Sequence, residues 1–195
     1  MKSPGIDDLQ PDLLSSVTDL DTARILFADL HDDLIGKVAR FRQLNELSLS
    51  LGRHGTMLPG GETAFAAWTE ARTSFVHGNY MATVMLCQGL AEHILAAQVR
   101  MLLGDGELPS RITFQQTLEL CIEHKLIGSN DANDLRFLME LRNPLSHFRD
   151  INDPSNLSRR VMNTMLSAET HLFRDASFAI GMAVRLLSLP AFRVG

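Results

Sequence analysis

Between a few glycine- and proline-rich breaks, this chain carries only helical periodicity, and that limits it to one class of fold. The breaks fall at Pro4-Gly5, Pro11, Gly52 to Gly61, Gly78-Asn79, Gly104 to Pro109, Gly128 to Asn130, Asp153-Pro154 and Pro190. No run between them alternates apolar and polar residues as a half-buried strand does. The spacing therefore predicts an all-α bundle of about six helices.

The first helix is predicted from Thr18 or Asp21 to Leu51, with Leu26, Leu30, Leu34, Val38 and Phe41 recurring at helical intervals. A second should span Glu62 to His77, closed by Gly78. The third, Asn79 to Leu103, is apolar on most sides and should be the buried central helix. Thr113 and Gln116 stand at capping-box spacing and open a fourth that passes Leu118, Cys121 and Ile122. The fifth starts after Ser129-Asn130 and runs toward Phe148. The sixth starts near Asp153-Pro154 and keeps Leu157, Val161, Met165, Leu172, Ala176 and Ala183 in register to Pro190.

At 195 residues the chain is about 1.3 times an average domain of ~150. Residues 1–17 read as a loose or docking tail, and 18–195 as one helical domain. Apolar residues make up 45% and charged residues 21%, the usage of a globular protein. The net charge of −5 excludes a general basic coat, so any nucleic-acid contact must be a local patch. No apolar run approaches the ~18 residues of a membrane span, and Met1 to Gln10 lacks a signal-peptide core. These features lead to an expectation of a soluble, cytoplasmic protein without membrane contact. Cys87 and Cys121 are too few for a zinc knuckle or a disulfide framework, and are expected as free core thiols. The nine methionines fit gap-filling in a core.

Several chemistries lack their residues. No Glu has a His three positions later, which di-iron bundles require. Walker and dinucleotide glycine loops are missing, as is a Gly-x-Ser-x-Gly elbow. His31 with Asp29, Asp32 and Asp33 is a small acidic cluster better explained as a solvated helix face than as a metal site. His171 and Asp175, four apart, lack a third ligand and read as surface polarity.

The segment Leu135 to Arg149 stands out. At about 100° per residue, Leu138, Leu141, Leu145 and Phe148 share one arc and should face the core, with Arg136, Glu140, Asn143 and His147 opposite. Arg142 sits on the shoulder of the apolar arc and needs an acid. Glu92, among Met85, Gly89, Ala96 and Val99, needs a base, so a Glu92–Arg142 pair is expected. Pro144 removes a backbone donor and should kink the helix near His147.

Arg142-Asn-Pro-Leu-Ser-His147 resembles the motif of HEPN domains, in which Arg is followed by a polar residue and, a few positions on, by His. The preceding segments, Gly78-Asn-Tyr-Met-Ala through Gly89-Leu-Ala-Glu-His-Ile-Leu and a helix ending in Leu-Arg-Asn, extend the likeness over roughly Ala71 to Phe148. The resemblance implies a helical bundle that dimerises with its motifs close together. It also implies either a metal-independent endoribonuclease of toxin or defence type, without cofactor, or a non-catalytic interaction module. Such a module would serve as a toxin–antitoxin or operon-control partner. By position, Arg142 would contact phosphate, Asn143 would orient substrate or His, His147 would be acid/base, and Glu92 would hold Arg142. Arg136, Arg149, Arg159 and Arg160 form the nearby basic cluster that could meet RNA phosphates, whereas Asp150 and Asp153 oppose it. Only Tyr80 and Trp68 supplement phenylalanine for base stacking. A plainer reading of the motif is a capped, hydrogen-bonded helix end.

RNA cleavage by its own 2′-hydroxyl needs a base and an acid, and one His cannot be both in one step. A two-fold dimer would supply two. Helix six points the same way: at ~35 residues it would be ~52 Å long, leaving an apolar overhang for a second chain to cover. The alternative is a bend at Ser167 or Gly181.

Overall fold

The computed structural model describes residues 20, 23–25, 27–28, 33–51, 55–104 and 111–194. Among them are seven α-helices and one short 3-10 helix, with no strand, so the fold is an all-α helical bundle. The helices are α1 (Leu34–Ser48), α2 (Gly61–His77), α3 (Tyr80–Leu103), α4 (Phe114–Glu123), α5 (Ser129–Ser146), α6 (Leu157–Thr164) and α7 (Ala168–Leu187). The 3-10 turn covers Pro190–Phe192.

Contacts divide the chain at residue 39 into an N-terminal unit and the bundle proper. In the N-terminal unit, residues 23–25 and 27–28 are helical and Asp33 lies in a turn before α1. The expected tail at 1–17, and Leu26, Leu30, Asp29, His31 and Asp32, lie outside the described residues. The long first helix is not continuous as expected, because α1 starts only at Leu34. Its apolar stripe is also not its buried side: Leu34, Val38 and Phe41 are exposed, while Arg40 and Leu44 are buried. Arg40 is accommodated because its Nε donates to the Val76 carbonyl at 2.9 Å and Nη1 to the Tyr80 hydroxyl at 3.2 Å. Burying a guanidinium is tolerable when its donors are taken up in this way.

The bundle is organised around α3, which packs against α2, α4, α5 and α7. Its near-continuous apolar surface explains this: Val84, Cys87, Leu90, Ala91, Ile94, Leu95 and Val99 are all buried. Gly78, at φ 82°, ends α2 in the left-handed conformation that glycine adopts without strain, and turns the chain directly into α3. The capping box of α4 forms as the sequence suggests. The Gln116 N–H donates to the Thr113 hydroxyl at 3.3 Å and the Thr113 N–H to Gln116 Oε1 at 3.0 Å. Phe192 seals the base of the core, held by the Met57 N–H donating to its carbonyl at 2.7 Å.

The predicted sixth helix is two helices. The chain leaves α6 through Met165 at φ 57° and restarts at Ser167, whose hydroxyl accepts from the Thr170 N–H at 3.1 Å. Ser167 is thus the break point and Gly181 is not, since α7 runs through it. No ~52 Å rod exists, and the overhang argument for a second chain falls with it.

Cys87 and Cys121 are buried free thiols. Burial pushes Cys121 up to about 12 and Cys87 higher still, so both stay protonated in the folded protein. Neither should react with a disulfide reagent at pH ~8 until the chain unfolds, whereas both should titrate in ~6 M guanidinium chloride. Rapid labelling of either thiol in the native state would contradict this packing.

Candidate functional site

The last turn of α5 carries the Arg142–His147 motif. Leu135, Leu138 and Leu141 anchor the helix in the core, and Leu145 is half-buried against it. Pro144 lies inside the helix and cannot donate to the carbonyl one turn back. Two residues later the helix stops. The Ser146 hydroxyl donates weakly to the carbonyls of Arg142 and Asn143, at 3.4 and 3.3 Å, and the His147 N–H donates to Asn143 O at 3.0 Å. These are the capping bonds of a helix end.

His147 itself is extended, with φ −131° and ψ 137°. Helical register no longer applies beyond it, so Phe148 does not join the core arc as expected: it is 92% exposed. Arg142 and Asn143 are half-buried and His147 is exposed. Among the described residues, no hydrogen bond or ion pair engages the side chains of these three. A guanidinium, an amide and an imidazole are therefore free on one helix end, within six residues of sequence.

The expected Glu92–Arg142 pair does not form. Glu92 is exposed and its Oε1 accepts from the Nε2 of buried Gln88 at 2.8 Å. Of the apolar residues taken as burying it, Val99 is in the core, but Met85 is exposed and Gly89 and Ala96 are only half-buried. A helix apolar on most sides does not declare which sector faces solvent, and here that sector passes through Glu92. Arg142 needs no acid, because a half-exposed guanidinium keeps its water.

The four arginines proposed as phosphate contacts have different fates. Arg160 is committed elsewhere: Nη1 and Nη2 donate to both oxygens of Asp175 at 2.6 and 2.8 Å. This bidentate bond raises its pKa and removes it from the candidate set. Arg136 donates to Gln115 at 3.3 Å and to Asn133 at 2.9 Å, both neutral partners. Arg149 lies 3.9 Å from Asp153, a loose contact between partly exposed groups. The Arg159 side chain has no hydrogen bond or ion pair among the described residues.

The loop after His147 is ordered by its own acids. Asp150 Oδ1 accepts from the N–H and Nδ2 of Asn152, both at 2.9 Å. Asp153 Oδ1 accepts from the Ser155 hydroxyl at 2.6 Å and N–H at 2.8 Å. Those bonds, with Arg149 nearby, hold the Asp153 carboxyl below its ordinary range. Asn156 caps α6 through the Arg159 N–H at 3.2 Å, and its Nδ2 donates to Arg149 O at 2.8 Å. The first turn of α6, with Arg159, is thereby tied beside the chain that leaves the motif.

His171 and Asp175 are not surface polarity; they are 6% and 5% exposed. His171 Nε2 shares a hydrogen bond with the Thr164 hydroxyl at 2.8 Å, and that hydroxyl also contacts Arg160 O at 2.8 Å. With Arg160–Asp175, this polar cluster latches α6 onto α7. Arg159 and Arg160 are adjacent in sequence, so only the partner across the helix pair separates a free cation from a committed one.

Comparison with protein families, characterised proteins and solved structures found no match for this chain.

Proposed function

We propose that this chain is a HEPN-like bundle acting as a metal-independent endoribonuclease of toxin or defence type, with Arg142, Asn143 and His147 as its working residues. The observation that carries the reading is their shared position at the end of α5, with side chains that no partner among the described residues occupies. In this mechanism His147 takes the proton of the RNA 2′-hydroxyl, which attacks the adjacent phosphorus. The 5′-oxygen leaves with a proton from a second imidazole, giving a 2′,3′-cyclic phosphate and a 5′-hydroxyl. Arg142 neutralises the charge growing on the phosphorane oxygens, and Asn143 orients the phosphate or the ring. Arg159 and Arg149 extend the phosphate contacts along the strand; Arg136 does so once it exchanges its neutral partners. Glu92 has no part in holding Arg142.

The second imidazole comes from a second copy related by a two-fold axis near His147. Light scattering at micromolar concentration tests this. A dimer near twice 21.6 kDa is expected, and a strict monomer at that mass would eliminate the composite site.

A second reading is a non-catalytic module that binds a regulatory or antitoxin-type protein. It is favoured by the apolar ring of Phe148, which directly follows His147 and is 92% exposed. The deciding experiment is incubation of pure protein with total RNA in EDTA. Cleavage supports the nuclease; intact RNA at high protein concentration supports the module.

A further inference from the structure

The solvent-facing stripe of α3 that holds Glu92 borders a cavity of about 390 Å³. A neighbouring cavity of about 290 Å³ shares Glu92 and Arg111 with it and continues toward Thr117 on α4. Small-molecule sites span about 300–1,000 Å³, so the first is large enough by itself. Two side chains on α3, Ala96 and Ala97, are too short to fill it. Gly60, before α2, closes one side: it stands at φ 104°, and a Cβ there would lie 3.1 Å from His93 O. Bare backbone is needed for α2 to start that close to α3.

The charges at this cavity run against the rest of the chain. Although the net charge is −5, Arg100, Arg111 and His93 line it with a single carboxylate among the described residues, Glu92. None of the three basic side chains has a hydrogen bond or ion pair among the described residues. Glu92 receives one bond, from Gln88, on Oε1. Two guanidiniums without carboxylate partners among the described residues are the groups that grip a tetrahedral dianion through paired N–H donors. A carboxylate is acceptor-only and suits a hydroxyl-bearing ligand. Ala96, Ala97 and Ile112 supply an apolar floor between them.

We propose that this cavity binds a small phosphomonoester bearing vicinal hydroxyl groups, with phosphate on Arg100 and Arg111 and hydroxyls on Glu92. A nucleoside 5′-monophosphate and a sugar phosphate share that chemistry. The site is separate from the α5 motif and stands whether or not the chain cleaves RNA.

Isothermal titration of the full chain tests it, using adenosine 5′-monophosphate, ribose 5-phosphate, adenosine and inorganic phosphate. At least one phosphomonoester should bind with a Kd below ~1 mM, with inorganic phosphate at least ~10-fold weaker and adenosine weaker still. Binding of the nucleotide alone identifies a nucleotide site, and comparable binding of ribose 5-phosphate identifies the sugar phosphate as sufficient. Arg100→Ala and Arg111→Ala should each weaken binding at least ~10-fold, while Arg174→Ala, an exposed control on α7, should not. Glu92→Gln should weaken the phosphomonoesters and leave inorganic phosphate unchanged. Both arginines are exposed, so their variants should keep the native circular dichroism. No binding of either phosphomonoester at ~1 mM, or wild-type affinity in folded Arg100→Ala and Arg111→Ala, overturns the proposal.

Discussion

His147→Ala should lower the rate of RNA cleavage in EDTA by about 10²–10⁴-fold, the range that a positioned acid/base contributes. Arg142→Ala should cost a comparable factor, about 10²–10³, because it removes charge stabilisation from the transition state. Neither change should unfold the protein. His147 is exposed beyond the helix end, and Arg142 is half-buried with no bonded partner among the described residues. Circular dichroism and a thermal melt close to wild type would therefore accompany the loss of activity. Arg160→Ala provides a contrast: its effect should appear in stability rather than in phosphate contact. Undiminished cleavage by His147→Ala would assign the activity elsewhere and sink the mechanism. Cyclic-phosphate ends on the products are a further requirement, since attack by the 2′-hydroxyl leaves no other first product.

The largest stability effect is expected from Asp175→Ala. Asp175 is 5% exposed and binds both terminal nitrogens of Arg160, whose side chain keeps 24% of its exposure. Removing one partner of a buried pair costs ~3–5 kcal/mol, chiefly because the other charge is stranded. Arg160 can recover some water, so about 2–4 kcal/mol is the better figure here. For a chain of this size that lowers Tm by roughly 4–16 °C, at about 2–4 °C per kcal/mol. The loss should centre on the α6–α7 junction, where His171 and Thr164 complete the same cluster. Urea or thermal unfolding measures it. A fall in Tm below ~2 °C would mean that the latch adds nothing beyond apolar packing.

The same junction shows why parts of the molecule were illegible from sequence. The apolar positions from Leu157 to Ala183 stay in register across Met165–Ser167, and periodicity alone reads them as one rod. The break lies in two local choices: a left-handed Met165 and a Ser167 hydroxyl that caps the next helix. A serine just before a stretch with helical periodicity is too common a pattern to force that choice. Asp175 and His171, polar residues at helical spacing, look like solvent-facing positions until α6 folds over them. Arg40 likewise lies where periodicity places no core residue, and the Val76 carbonyl and Tyr80 hydroxyl that accept from it come from 36 and 40 residues away.

Local chemistry determined the all-α class and the approximate ends of α2 to α5, because period, caps and glycine turns act within a few residues. The Thr113–Gln116 box, the Gly78 turn and the central place of α3 were all legible, as were the neighbouring positions of Arg142, Asn143 and His147 on one helix end. Only the tertiary structure decided which polar groups meet. Glu92 faces a cavity with Arg100 and Arg111 and not Arg142, Arg160 is taken by Asp175, and Phe148 leaves the core. The reason is physical: a helix face is set by its own sequence, but the partner of a charged side chain is set by which helix lies across from it. That depends on the packing of every other face.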